Sequence, residues 1–266
     1  MARLILCIMC SALFAMAKGA DFKLPTIPDS VQGSNARAEY LCEHFWDDAP
    51  NEAKYDYSIL HTYLYALSRI PVPRQSELLG NRLDESLPDE KQFAALSLCL
   101  DETLGNPFSK LRNDTLYLDM QQRIVDSSLD DVNKIVPRWR IEFFRRTWPG
   151  MKAADIELTD SHGRTILLSQ IGRPLVLIFA NSECSLCREE LPRIIDELNN
   201  SGKRWIVVYV DGYIPDYALR NYSDNAYADS VGSIIDEEAY MTRMLPCAYE
   251  IDSEGRIMAR EIQLIK

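Results

Sequence analysis

Leu175-Val176-Leu177-Ile178-Phe179-Ala180 runs through Asn181-Ser182-Glu183 into Cys184-Ser185-Leu186-Cys187, and a helix-patterned stretch from Arg188 to Asn200 follows. Six consecutive apolar residues with turn-forming neighbours predict a strand buried on both faces. A Cys-x-x-Cys at the start of the next helix is a redox-active dithiol arrangement. The first helical turn has unpaired N–H groups and a partial positive charge, and both favour a thiolate over a thiol. Two cysteines three apart on that turn can close a disulfide with little backbone movement.

Outward from this stretch, Trp205-Ile206-Val207-Val208-Tyr209-Val210 reads as a second buried strand, after a helix that ends near Gly202. On the N-terminal side, Asp155–Asp160 and Thr165–Leu168 flank Ser161-His162-Gly163-Arg164, a hairpin-type turn. On the C-terminal side, Ala248–Asp252 and Ile257–Arg260 flank Ser253-Glu254-Gly255, a second hairpin. Strand, helix, strand and hairpin predict an α/β domain over residues 149–266, with a central mixed sheet flanked by helices.

Trp148-Pro149-Gly150 marks the expected boundary, and before it the pattern is helical. Tyr57, Leu60, Tyr63, Leu64, Leu67 and Ile70 recur at helical spacing until Pro71 and Pro73. Phe93, Leu96, Leu100 and Leu104 form a second stripe, ended by Gly105-Asn106-Pro107. Leu116, Met120, Ile124 and Val125 form a third, and Trp139, Phe143 and Phe144 a fourth. Residues 21–148 are therefore expected to be an all-α domain of about five helices, with these stripes as its core.

Residues 1–20 read as a signal peptide. Arg3 supplies the basic start, Leu4 to Phe14 the apolar run, and Ala15-Met16-Ala17 the small-residue cleavage site. Export to a periplasm or cell envelope follows, with no membrane insertion after cleavage. Of seven cysteines, Cys42, Cys99, Cys184, Cys187 and Cys247 remain, and the odd number leaves a thiol unpaired within the chain. The formal net charge of -11 argues against nucleic-acid or anionic-membrane binding. His44, His61 and His162 are too scattered to suggest a metal site, and no metal is assigned.

The second half resembles the thioredoxin-like envelope oxidoreductases of the TlpA/ResA type. Ala153–Asp160 with Gly163 and Leu167-Leu168-Ser169 resembles the hairpin those proteins add to thioredoxin. Cys187-Arg188-Glu189-Glu190-Leu191-Pro192 matches their C-R-x-E-x-P, with Pro192 at the kink of the active-site helix. Leu245-Pro246 before Ala248–Asp252 resembles their cis-proline loop and the hairpin after it. The helical half resembles a domain of unknown function found upstream of such modules, on Asn106-Pro107-Phe108-Ser109-Lys110-Leu111-Arg112-Asn113 and Leu116-Tyr117. The chain departs from the pattern in places: Glu183 stands where an aromatic residue precedes the first cysteine, Ser185 and Leu186 lie between the cysteines where a proline is frequent, Ile178 stands where thioredoxin has a buried aspartate, Leu245 where threonine is usual, and Cys247 directly follows the proline.

The expected function is an exported thiol–disulfide oxidoreductase that reduces protein disulfides without a bound cofactor and is recharged by a dithiol electron donor. Cys184 would attack, and Cys187 would resolve the mixed disulfide. By the resemblance Pro246 would lie against the pair, with the Leu245 backbone, Glu183, Ser185 and Leu186 meeting the substrate. Glu190 reads either as a proton relay to the resolving thiol or as a solvated helix glutamate. Glu183, Glu189 and Glu190 oppose a thiolate that the helix start and Arg188 favour, which points to a reductant. Other readings are a non-catalytic binding module on the same scaffold, an inert disulfide or half of a metal site whose third ligand could only be Cys247 or a histidine, and a peroxide-reducing enzyme; the proline- and threonine-rich motif of the last is absent.

Overall fold

The computed structural model describes residues 22–263. The expected signal peptide, with Cys7 and Cys10, lies outside the described residues. The chain divides into two compact units, one ending at Arg140 and the other beginning at Ile141.

The first unit is helical: α1 (Ser34–Glu43), α2 (Tyr57–Leu67), α3 (Val72–Ser86), α4 (Glu90–Thr103), α5 (Asp114–Asp126) and the first part of α6 (Asp131–Arg146), with a 3-10 turn at Asn51–Tyr55. That is six helices among the described residues, where the periodicity predicts about five. The difference lies at Pro71 and Pro73, which read as a stop. They end α2's run but also open α3, whose first turn holds Pro73; a first-turn N–H has no partner in the helix, so proline costs nothing there.

Asx residues set three of the helix starts. Asp56 accepts from the N–H groups of Ser58 and Ile59 at 2.9 and 3.3 Å. Asp89 does the same for Lys91 and Gln92, and Asn113 for Leu116. Each cap satisfies donors that the helix cannot. Asp56→Ala is expected to cost the helical unit about 1–2 kcal/mol, and Asp56→Asn a few tenths. Urea midpoints of the two variants check this, and equal losses in both would contradict the cap.

The first three apolar stripes lie in the core, with Leu60, Tyr63, Leu64, Leu96, Leu100, Leu116, Met120 and Ile124 buried. Phe45, Trp46 and Tyr63 pack ring against ring at 4.9–5.2 Å. The fourth stripe is corrected in part. Phe143 and Phe144 are buried, but Trp139 is 46% exposed, and Val132, Ile135 and Val136 on the same helix are exposed too. Helical spacing marks one face of a helix and does not say whether another element covers it. Phe144 belongs to the second unit, under the guanidinium groups of Arg260 and Arg243 at 4.0 and 4.9 Å. These contacts put the division within α6, ahead of Trp148-Pro149-Gly150.

The second unit contains β1 (Glu157–Asp160), β2 (Thr165–Leu167), β3 (Leu175–Ala180), α7 (Ser185–Asn200), β4 (Trp205–Tyr209), α8 (Asp216–Tyr222), β5 (Ala226–Ala228), β6 (Cys247–Ile251) and β7 (Ile257–Gln263). They form one mixed sheet in the order β2-β1-β5-β4-β3-β6-β7. β3 pairs parallel with β4 and antiparallel with β6, so it lies inside the sheet and every one of its residues is buried. Its side chains alternate between two cores. Val176, Ile178 and Ala180 pack on the α7 side with Leu191, Ile194 and Cys187. Leu175, Leu177 and Phe179 pack on the other with Tyr240 and Tyr249. The β1–β2 and β6–β7 hairpins turn where the sequence predicts. The short β5, the helix α8 and the loop from Asp229 to Pro246 have no periodic signal in the sequence. That loop is built instead on the buried Asp229, which accepts from the N–H groups of Ser233 and Ile234 at 3.0 and 2.7 Å.

Candidate functional site

Cys184 is the N-cap of α7, and its sulfur accepts the N–H of Cys187 at 3.1 Å. One of the donors that a helix start leaves open thus points at the Cys184 sulfur. Cys184 is half-buried, whereas Cys187 is fully buried among the apolar residues of α7 and the sheet. The spacing of Cys187, Leu191, Ile194 and Ile195 explains that burial, since it places the second cysteine on the core face of an amphipathic helix. Burial and the hydrogen bond to Cys184 push the Cys187 thiol up to about 12, only partly offset by the backbone N–H of Asn181. One sulfur is therefore reachable, and the other holds its proton.

The remaining predicted residues fall as follows. Ser185 and Leu186 are exposed on the first turn, Leu186 by 40%, and Glu183 is exposed just ahead of it. β6 starts opposite the end of β3, with Cys247 paired to Phe179, so Leu245 and Pro246 belong to the dithiol end of the sheet. The Leu245–Pro246 bond is cis. Pro246 is buried, and Leu245 borders both cores, one of which Cys184 also borders. Glu190 is on α7, and its carboxylate is bound by Arg193 at 2.8 and 3.1 Å. Arg188 lays its guanidinium over the Tyr217 ring at 5.5 Å. Cys247 is 3% exposed and sits in the core of Phe179 and Tyr249. Among the described residues, no group of three or more His, Cys, Asp or Glu is placed to hold a metal ion.

Two features of the site carry no motif in the sequence. The first is Asp211, just past β4, which accepts the Ser182 N–H with both oxygens at 3.2 Å and also binds the Ser182 hydroxyl. A polar residue at the end of a buried strand adjoining the dithiol strand is the one signal that could have found it. The second is a trio of tyrosines on the α7 side of the sheet. The Tyr209 hydroxyl donates to Tyr217 at 3.1 Å and shares a hydrogen bond with Tyr222 at 2.8 Å, in the core cluster that holds Cys187.

A family model described as domain of unknown function DUF5106 matches residues 10–147, just over half of the chain. A solved thioredoxin-like protein from Bacteroides caccae superposes with a TM-score of 0.72 at 23% identity, covering 92% of this chain and 95% of that one. At that identity the likeness establishes the fold: a helical unit followed by a thioredoxin-like unit. Partial matches include the pneumococcal exposed lipoprotein thioredoxin of Streptococcus pneumoniae, with a TM-score of 0.34 and 25% identity over 42% of this chain and 92% of that one. Another is a thio-disulfide isomerase from Thermus thermophilus, with a TM-score of 0.34 and 18% identity over 42% and 84% of the two chains. No curated protein matches the sequence.

Proposed function

Since this chain belongs to the DUF5106 family and joins that helical region to a thioredoxin-like unit, we propose that it is an exported thiol–disulfide oxidoreductase that reduces protein disulfides. The observation that carries the reading is the asymmetry of the dithiol. Cys184 caps a helix at a half-buried position, and Cys187 lies fully buried one turn on with a proton it does not readily lose.

The steps follow from that asymmetry. The Cys184 thiolate attacks a substrate disulfide, forming a Cys184–substrate S–S bond and releasing one substrate sulfur as a thiolate. Cys187 then gives up its proton to a departing sulfur and attacks Cys184. The Cys184–Cys187 disulfide forms, and the second substrate sulfur leaves. Two electrons pass to the substrate, and a separate dithiol protein returns them. Leu245 and the first turn of α7 frame the side from which an extended substrate approaches. Export rests on the basic, apolar and small-residue order of the first 20 residues.

The test is the reduction potential of the mature protein in dithiothreitol or glutathione buffers, together with insulin reduction. A reversible two-electron transition near or below roughly -250 mV is expected, close to thioredoxin's own value. A value near roughly -120 mV would make the protein an oxidant. With no reversible transition at all, the second unit is a scaffold and the protein a binding module.

A further inference from the structure

We propose that Asp211 is a positioning residue for the dithiol, fixing where Cys184 sits; this rests on the redox reading above. The backbone leads to it. β3 and β4 run parallel with Ala180 opposite Tyr209, and the Val210 N–H donates to the Ala180 carbonyl at 2.9 Å. Two residues beyond that pair along each chain, Asp211 comes level with Ser182.

The donors of the dithiol loop show what Asp211 does there. The Glu183 N–H goes to the Asn181 side chain at 2.9 Å, and the Cys184 N–H to the Asn181 carbonyl at 3.2 Å. The Cys187 N–H goes to the Cys184 sulfur. These bonds shape the loop from within and do not attach it to anything. The Ser182 N–H and hydroxyl instead go to Asp211, on a different element. Ser182 is only 5% exposed, so without this acceptor its polar groups would be enclosed unpaired. Asp211 therefore ties the loop to the sheet two residues before Cys184. An asparagine would supply the same carbonyl oxygen without the charge.

The experiment compares the mature wild type with Asp211→Asn and Asp211→Ala. Asp211→Asn keeps an acceptor for Ser182. It is expected to keep kcat for insulin reduction within about twofold of the wild type. Asp211→Ala removes the tie, and kcat should fall roughly ten- to a hundredfold with KM unchanged, the signature of a displaced nucleophile. Should Asp211→Ala fail to fold, Ser182→Ala, which gives up the hydroxyl half of the tie, is expected to lower kcat in the same way. A wild-type kcat in Asp211→Ala, or a loss in Asp211→Asn as large as in Asp211→Ala, overturns the proposal. A wild type with no reversible transition overturns the redox reading instead. The iodoacetamide alkylation rate of Cys184 then still reports on Asp211: a rate changed in Asp211→Ala and restored in Asp211→Asn supports its hold on the loop, and an unchanged rate overturns it.

Discussion

Cys184→Ser is expected to lose disulfide reduction completely, whereas Cys187→Ala attacks substrate once and remains attached to it. Both outcomes come from the different surroundings of two residues that the motif alone treats alike. Cys184 is half-buried and is the N-cap of α7. A serine there still caps the helix, so fold and helix start survive while the nucleophile is gone. Cys187 is fully buried in an apolar cluster. Alanine is the suitable replacement, because a serine hydroxyl would be enclosed without a defined partner. With Cys187 removed the first step proceeds and the second cannot, so turnover stops at the mixed disulfide. Mass spectrometry under non-reducing conditions checks the pair: an adduct on Cys184 in Cys187→Ala and none in Cys184→Ser. An adduct on Cys187 in Cys184→Ser would reverse the assigned order of attack.

The parts of the site that are legible in the sequence are those held by local patterns. The apolar run of β3, the cysteines at the next helix start, and the two hairpin turns each depend on residues close together in the chain. The spacing of Cys187, Leu191, Ile194 and Ile195 reports which cysteine turns inward. Asp211 is different. It matters because parallel pairing of β3 and β4 brings it to Ser182, 29 positions away, and no local pattern records a pairing across the sheet. The tyrosine trio is equally remote, since Tyr209, Tyr217 and Tyr222 read as a strand end and an unremarkable short helix until the hydroxyl groups meet. Pro71 and Pro73 failed in another way. A proline ends one helix and opens the next by the same chemistry, and only the later apolar positions Leu79 and Leu83, both fully buried, reveal α3. Trp139 shows the limit of periodicity, which finds a face and not its cover.

Raising the pH of the reduced protein from about 9 to about 12 is expected to unfold both units, through thiols that the fold keeps protonated. Burial raises Cys42 to about 12 and Cys99 to about 11 in the helical unit, and Cys187 to about 12 in the thioredoxin-like unit. An unfolded cysteine ionises from about pH 8.5 upward. In that window the unfolded chain has released protons that the folded chain retains, so stability falls as pH rises. Below the window these thiols are neutral in both states, and their contribution is fully present. Three pH units correspond to about 4 kcal/mol per thiol as an upper bound, against a total of roughly 5–15 kcal/mol for a domain. Buried tyrosines act in the same direction at higher pH: Tyr63 in the first unit and Tyr209 in the second are both raised, chiefly by burial. The redox state separates the two units. Closing the Cys184–Cys187 disulfide removes the Cys187 titration and leaves Cys42 and Cys99 unchanged. The slope of stability against pH should therefore flatten on oxidation in the second unit alone, while Cys42→Ala flattens it in the first. Urea denaturation of reduced and oxidised protein between pH 8 and pH 11, followed by hydrogen exchange to resolve the units, measures both slopes. A reduced second unit as stable at pH 11 as at pH 8 would mean that Cys187 ionises freely, and the resolving thiol would then need no proton acceptor.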